Sequence, residues 1–264
     1  MILYTPDLTI APQFFEPSWL QLVRQSLNSH SSIFLCADPN QGFLKSRLSW
    51  KSVGFNVRGR TKKLSYSYRT TYEIMVAANA LLEFMDENSE DFVRPDLERM
   101  ERGGKPQVVY SSTVQDEQKR FVNELKSCLQ KGEIPLHQIM VLCSEGYSPW
   151  NLKRLIEQEI GTGSVVNCND QKDLKYNLGE KIRLMNINSC TGMESGVTFV
   201  LGVGDLMNKS KNIDLEDDAR DLTYRESIRK LYVAMTRAGQ KLVLFSTEEL
   251  PDSLSFLVDS SGSV

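Results

Sequence analysis

Apolar runs of strand length alternate along this chain with stretches of helical periodicity. SSIFLCAD (31–38), KKLSY (62–66), QVVY (107–110), QIMVLC (138–143), SVVN (164–167), IRLMNI (182–187), VTFVLGV (197–203) and KLVLFS (241–246) read as short strands, most of them apolar throughout. Unbroken apolar character is what strands buried on both faces require. TYEIMVAANALLEFMDE (71–87) places Ile74, Ala77, Ala78, Leu81, Leu82 and Met85 at spacings of three and four, one helical stripe. Pro17 followed by SWLQLVRQSL predicts a helix with proline in its first turn, and further helices are expected over 115–131, 151–160 and 214–238. Strand, helix, strand in that order implies parallel pairing through right-handed crossovers, hence an α/β fold. The polar segment 87–106, broken by proline and Gly103-Gly104, is expected to be an exposed connection. Ligands gather at the carboxyl ends of parallel strands, so the loops after strands are expected to carry function.

Composition narrows the class. The 264 residues are 41% hydrophobic and 25% charged, which excludes disorder, collagen and coiled coil and fits one large domain or two modest ones. A net charge of −3 excludes a globally basic, histone-like binder of nucleic acid but leaves a local basic groove open. Cys36, Cys128, Cys143, Cys168 and Cys190 are odd in number and form no CxxC pair, so reduced thiols and a cytoplasmic location are expected. His30 and His137 stand at no ligand spacing, and no metal site is expected within the chain. The start lacks the charged and apolar regions of a leader, and no apolar run approaches the roughly 18 residues of a membrane span.

Four polar stretches stand at element ends: ADPNQ (37–41), SYRTT (67–71), NSCTGMES (188–195) and LYVAMTRA (231–238). Taken singly, each has an ordinary reading. Asp38 caps a loop, Gln41, Arg69 and Arg237 are solvated, Tyr68 packs its ring, and Gly192 makes a turn.

Taken in order they resemble a known family. RKLYVAMTRAGQKLVLF (229–245) resembles motif VI of UvrD/Rep-like superfamily 1 DNA helicases, and IRLMNINSCTGMESGVTFVLGV (182–203) resembles their motif V. LSYSYRTT (64–71) is similar to motif IV and IFLCADPNQGFL (33–44) to motif III. Residues 115–146 resemble the helix and strand before the family's mobile insertion, which is here absent or reduced to a loop. The resemblance implies an ATP-driven motor of two RecA-like domains that moves along single-stranded DNA. It implies that Gln41 senses the γ-phosphate, Tyr68 stacks on adenine, and Arg69 and Arg237 act as arginine fingers. Glu194 would touch the ribose or the nucleotide edge, with Asp38 and Gly192 on the nucleotide side, while Asn188, Ser189 and Thr191 would meet DNA. Such fingers are worth about 10³–10⁵ in rate.

The departures from the family are as informative. No GxxxxGK[ST] phosphate loop exists in the sequence. IAPQFFEPSWLQLV (10–23) is similar to motif II and its helix through Gln13, Phe15, Pro17, Trp19 and Leu20. Its register puts Ile10 and Ala11 where the family has its metal-binding Asp and catalytic Glu. Neither side chain holds magnesium or accepts a proton, and loss of a general base alone costs about 10²–10⁴ in rate. Asn188 replaces a histidine and Thr191 a lysine of motif V, which weakens the expected DNA contact. The expected organisation is a remnant of a first RecA-like domain over 1–58, a second RecA-like domain over 59–250 and a tail over 251–264. ATP and Mg²⁺ are expected only when a P-loop-bearing first half or partner protein completes the cleft. Single-stranded DNA is the expected polymer, and the second reading is a non-enzymatic module that binds single strands or a protein.

Overall fold

The computed structural model describes residues 2–5, 8–10, 17–28, 34–36, 54–56, 58–60, 62, 69–82, 96–130, 132, 134–173, 179–209, 217–250, 254 and 257. The chain divides into two compact units, one of residues 1–65 with 90–93 and one of residues 66–89 with 94–264.

In the smaller unit, β1 (Ile2–Thr5), β2 (Leu8–Ile10) and β3 (Phe34–Cys36) form a sheet in the order β2-β1-β3, with α1 (Pro17–Ser26) between β2 and β3 in sequence. Both pairings are antiparallel, Leu3 opposite Ile10 and Tyr4 opposite Phe34. The parallel pairing expected throughout therefore stops at this unit. Pro6 and Asp7 alone separate β1 from β2, and so short a connection closes only an antiparallel hairpin.

The larger unit is an α/β domain. Its strands β4 (Gln107–Tyr110), β5 (Ile139–Cys143), β6 (Val165–Asn167), β7 (Ile182–Asn186), β8 (Ser195–Leu201) and β9 (Ala238–Ser246) form one parallel sheet in the order β4-β9-β8-β5-β7-β6. Helices α2 (Tyr72–Leu82), α3 (Val114–Gln130), α4 (Pro149–Ile160), α5 (Val203–Asn208) and α6 (Asp217–Met235) accompany it. Every residue of β5 is buried, as its unbroken apolar run requires. α3 turns Phe121, Val122, Leu125 and Cys128 inward, and the Phe121 ring meets Phe199 and Phe245 edge-on at centroid distances of 5.5 and 5.9 Å. α2 packs against α6 through a stripe in which Ile74, Ala78 and Leu81 are wholly buried. Leu254 and Leu257, in the stretch expected to be a tail, are wholly buried as well. Among the described residues, no helix is long and apolar enough to cross a membrane.

The run VTFVLGV does not continue as a strand to residue 203. Gly202 takes φ +74°, and a Cβ there would overlap Ser144 Oγ and the Tyr147 ring. Only glycine fits, and its left-handed backbone ends β8 and starts α5. The Gly202 N–H donates to Glu117 Oε1 at 2.9 Å, and the Tyr147 hydroxyl donates to the same oxygen at 2.7 Å. Glu117 is thus a buried carboxyl joining α3, the β5–α4 loop and the β8–α5 turn, with Oε2 buried and unbonded.

Burial pushes the Glu117 pKa up, against the two hydrogen bonds that favour its anion. A raised folded-state pKa stabilises the fold while the group is protonated, and that stabilisation is lost as pH climbs through the folded value. Glu117→Gln keeps both accepted bonds and removes the ionisation. It is expected to raise Tm by about 2–6 °C near pH 8 and to leave it nearly unchanged near pH 5. Thermal melts followed by circular dichroism at the two pH values check this.

Candidate functional site

The candidate residues fall on opposite edges of the parallel sheet. At the amino edge, β8 and β9 start side by side, with Ser195 paired to Ala238 and the Ser195 N–H donating to the Arg237 carbonyl at 3.0 Å. The segment before α2 joins them there. Thr71 N–H donates to the Gly239 carbonyl at 3.1 Å and Thr70 Oγ1 to the Thr236 carbonyl at 3.4 Å. A Cβ on Gly239 would stand 3.1 Å from the Arg69 carbonyl oxygen and 3.2 Å from that of Ser195, so glycine permits this three-way backbone approach.

Arg69, Glu194 and Arg237 are brought together at this edge, in different states. Arg69 Nε lies 2.8 Å from Glu194 Oε2, and the two side chains are 70% and 61% exposed. Arg237 is only 5% exposed. Its Nε donates to the Val233 carbonyl at 3.0 Å, one terminal nitrogen to the Met193 carbonyl at 2.9 Å, and the other to Thr236 Oγ1 at 3.2 Å. A helix ends with carbonyls that lack partners, and a cation there meets both their lone pairs and the negative end of the helix dipole. Arg237 does this for α6 and ties the helix to the 190–195 loop. Arg183 of β7 reaches the Glu194 and His137 carbonyls from the same edge. Gly192, at φ +78° with open space where a Cβ would stand, shapes the turn after Cys190. The Cys190 thiol, pushed up to about 11 by burial against the pull of Arg237, is no nucleophile at neutral pH.

Asn188 and Ser189 stand at the carboxyl edge, beyond the end of β7. Asn188 Nδ2 donates to Glu145 Oε1 at 2.9 Å, and Lys209 Nζ lies 2.6 Å from Glu145 Oε2. Hydrogen bonds from Lys209 and then Asn188 hold the Glu145 carboxyl below the usual carboxylate range. A cavity of about 280 Å³ opens here, lined by Ser144, Glu145, Asn188, Asp205, Lys209 and Lys230 among others. Ser189 Oγ accepts from Asn169 Nδ2 at 3.0 Å, and Asn169 Oδ1 accepts from Asn186 N–H at 2.9 Å. Thr191 is exposed farther along the same segment.

Function was expected in loops after the carboxyl ends of strands. That position holds for Asn188 and Ser189, whereas Arg69, Glu194 and Arg237 gather at strand starts. The segment from Ile187 to Glu194 runs from the end of β7 to the start of β8 and so serves both edges. Asp38, Gln41 and Tyr68 lie outside the described residues, as does Ala11. Glu145, Asn169 and Lys209 escaped the sequence reading because each stands alone in a loop or at a helix end, with no periodicity or spacing to mark it. Among the described residues no group of three His, Cys, Asp or Glu side chains is placed to hold a metal ion.

No protein-family model matches the chain, and no curated protein matches it. Among solved structures it is similar to the C-terminal domain of a possible DNA helicase from Lactobacillus plantarum WCFS1, at 16% identity and a TM-score of 0.47. That likeness covers 72% of this chain and 92% of the other.

The two arginines differ in what they contribute to stability. Arg237→Ala deletes a buried side chain and its hydrogen bonds to the Val233 and Met193 carbonyls, and is expected to cost about 2–4 kcal/mol in urea unfolding. Arg69→Ala breaks one exposed pair and is expected to change stability by no more than about 0.5 kcal/mol. Equal effects would mean that Arg237 is not the clamp described.

Proposed function

We propose that this chain is the carboxy-terminal half of a UvrD/Rep-like superfamily 1 DNA helicase, which lends cations to an ATP site that a P-loop-bearing polypeptide completes. The observation that carries the reading is the meeting of Arg69, Glu194 and Arg237, from three separate stretches of sequence, at one edge of the sheet. The motif resemblance put these same residues around a nucleotide, and their adjacency supports it. Arg69 is the group that reaches the γ-phosphate. Its exposed pair with Glu194 contributes roughly 0–1 kcal/mol and exchanges readily for a phosphate, whose geometry suits a guanidinium fork. Arg237 acts behind it as a positioning residue that holds the Met193–Glu194 backbone. Tyr68 stacks on adenine, Gln41 senses the γ-phosphate, and Asp38 and Gly192 complete the nucleotide side. Magnesium and the water-activating base come from the completing polypeptide, because Ile10 and Ala11 supply neither. Single-stranded DNA lies across Asn188, Ser189 and Thr191 at the opposite edge.

One observation favours a second reading, a non-enzymatic module that binds single strands or a protein. The Arg237 guanidinium is taken up by carbonyls of its own chain rather than turned outward. A finger built that way is a structural clamp.

The purified chain is expected to show no ATP turnover with or without single-stranded DNA. Its ATP affinity is expected to be about millimolar by calorimetry, near −4 kcal/mol, and to disappear in Arg69→Ala. Salt-dependent binding of single-stranded DNA by the inactive chain is expected of the motor half and of a strand-binding module, and its absence favours a module that binds a protein. Restoration of turnover by a P-loop-bearing partner, lost again in Arg69→Ala, separates the motor half from the module. Sustained turnover by the chain alone would defeat both.

A further inference from the structure

The segment that leads into β4 lies on the surface, yet it grips the start of α2. Glu101, Arg102 and Gly103 are all exposed. The Glu101 carbonyl accepts from Tyr72 N–H at 2.8 Å, and the Gly103 N–H donates to Glu73 Oε2 at 2.7 Å. Arg102 Nη1 lies 3.4 Å from Glu73 Oε1, and its guanidinium carbon stands 3.7 Å from the centre of the Tyr72 ring. The amino end of a helix leaves N–H groups without partners in the helix itself. Tyr72 and Glu73, the first two residues of α2, meet that need and more through a segment 30 positions along the chain. The Gly103 N–H, before any other influence, holds the Glu73 carboxyl below the usual carboxylate range, so the grip persists across neutral pH.

Thr71 is caught between this segment and the sheet. Its N–H donates to the Gly239 carbonyl at the start of β9. Its side chain meets Gly103 so closely that a Cβ there would stand 2.4 Å from Thr71 Cγ2. A side chain at position 103 therefore displaces Thr71. Thr71 directly precedes α2, and its carbonyl accepts from Met75 N–H in the helix's first turn. A threonine in that place ordinarily turns its hydroxyl to the first-turn amides. Here Thr71 Oγ1 is buried, with no partner among the described residues. An unpaired buried hydroxyl is costly, so the contacts with Gly103 and Gly239, rather than the helix, decide where Thr71 sits. Thr70 adds its bond to the Thr236 carbonyl, and Arg69 is the next residue back.

We propose that Glu73 and Gly103 are positioning residues of the anion site: the turn over 101–103 is a strap that fixes Thr71 and Tyr72 and, through them, the Arg69 guanidinium. The proposal rests on the reading above and deepens it by naming what aims the arginine. The path is short. Gly103 is bonded to Glu73 and pressed on Thr71, and Thr70 alone separates Thr71 from Arg69. A side chain 70% exposed has little packing of its own to orient it, so its direction follows from its backbone and from Glu194. The backbone is what the strap holds. Arg237 fixes the Glu194 end of the pair from the β8 side, and the strap fixes the Arg69 end from the α2 side. Such support matters because misplacing a reacting group by about 1 Å costs on the order of 10²-fold. Neither Glu73 nor Gly103 touches the ligand.

The test uses the full chain with arginine labelled in nitrogen-15, the Arg69 Nε–H signal being identified by its loss in Arg69→Ala. In the unaltered chain this signal is expected where a carboxylate-bonded guanidinium resonates, and to shift on titration with ATP. Glu73→Ala, which removes the acceptor of the Gly103 N–H, and Gly103→Ala, which displaces Thr71, reach Arg69 by separate routes. Each is expected to move the signal to the position of free arginine and to weaken ATP about 3–10-fold. Glu73→Gln keeps an oxygen for the Gly103 N–H and is expected to retain the signal, with affinity within about twofold. An Arg69 signal that stays in place in either Glu73→Ala or Gly103→Ala overturns the strap and leaves the motor reading standing. Equal losses in Glu73→Gln and Glu73→Ala assign Glu73 a role through its charge and likewise overturn the proposal. An Arg69 signal that ATP leaves unmoved in the unaltered chain overturns the motor reading, and the strap's role at the anion site with it.

Discussion

The larger unit depends on how Arg237 is held. Arg237, a residue only 5% exposed, keeps its charge inside the fold because its guanidinium fork meets oxygen atoms on several sides. Its bond to Val233 closes the last turn of α6, and its bond to Met193 fixes the loop that precedes β8. Its own carbonyl accepts from Ser195, the first residue of that strand. One residue thereby joins the end of a helix to the starts of the two strands that lie side by side next to the sheet's centre. Glu194, between the two tethered residues, has little freedom left, and so the carboxylate that meets Arg69 is presented from a fixed place.

The same segment ties the sheet's two edges together. Residues 187–194 leave β7 at its carboxyl end and enter β8 at its amino end, pinned near one end by Asn188 on Glu145 and near the other by Met193 on Arg237. A parallel sheet forces such a traverse, since each successive strand starts again from the same side. Helices make the traverses from β4 to β5, β5 to β6 and β8 to β9; this one is made by a 3₁₀ turn over Ile187–Ser189 and the turn at Gly192. The chemistry differs between the edges. The amino edge carries guanidinium groups with the Glu194 carboxylate, whereas the carboxyl edge carries amides, hydroxyls, ammonium groups, the Glu145 carboxylate and an exposed indole.

Much of the larger unit was legible along the chain because strands buried on both faces must be apolar without interruption. QIMVLC, IRLMNI and KLVLFS lie where those runs stand, whereas QVVY forms the edge strand β4, whose residues are exposed or half-buried. The order of the strands was not legible, since β9 settles between β4 and β8 through packing across the sheet and nothing in KLVLFS names its neighbours. Gly202 was visible, but the valine after it continued the apolar run and hid the left-handed turn that ends β8. The arginines show the limit most clearly. Arg69 and Arg237 are alike as letters, each beside a threonine, yet one side chain is 70% exposed and the other residue 5%. That difference is made by where the carbonyls of Val233 and Met193 come to rest, and no local pattern encodes it.

Both edges share one electrostatic device. At each, a carboxylate of the chain occupies a cation where an anionic ligand would stand: Glu194 on Arg69, and Glu145 on Lys209 with Asn188. Exposed pairs of this kind are weak, and a phosphate brings strong acceptor oxygens, more charge when it is terminal, and bidentate geometry on arginine. The pair therefore keeps the cation extended and oriented at small cost, and in the proposed function it is what a phosphate displaces. Glu145, held below the usual carboxylate range, stays charged well into mild acid, so this arrangement persists across neutral pH. Arg237 does not exchange, because turning outward would give up its three hydrogen bonds to Val233, Met193 and Thr236. In the proposed function, anion recognition accordingly falls to the exposed, carboxylate-held cations, with the buried guanidinium as the brace that sets where one of them stands.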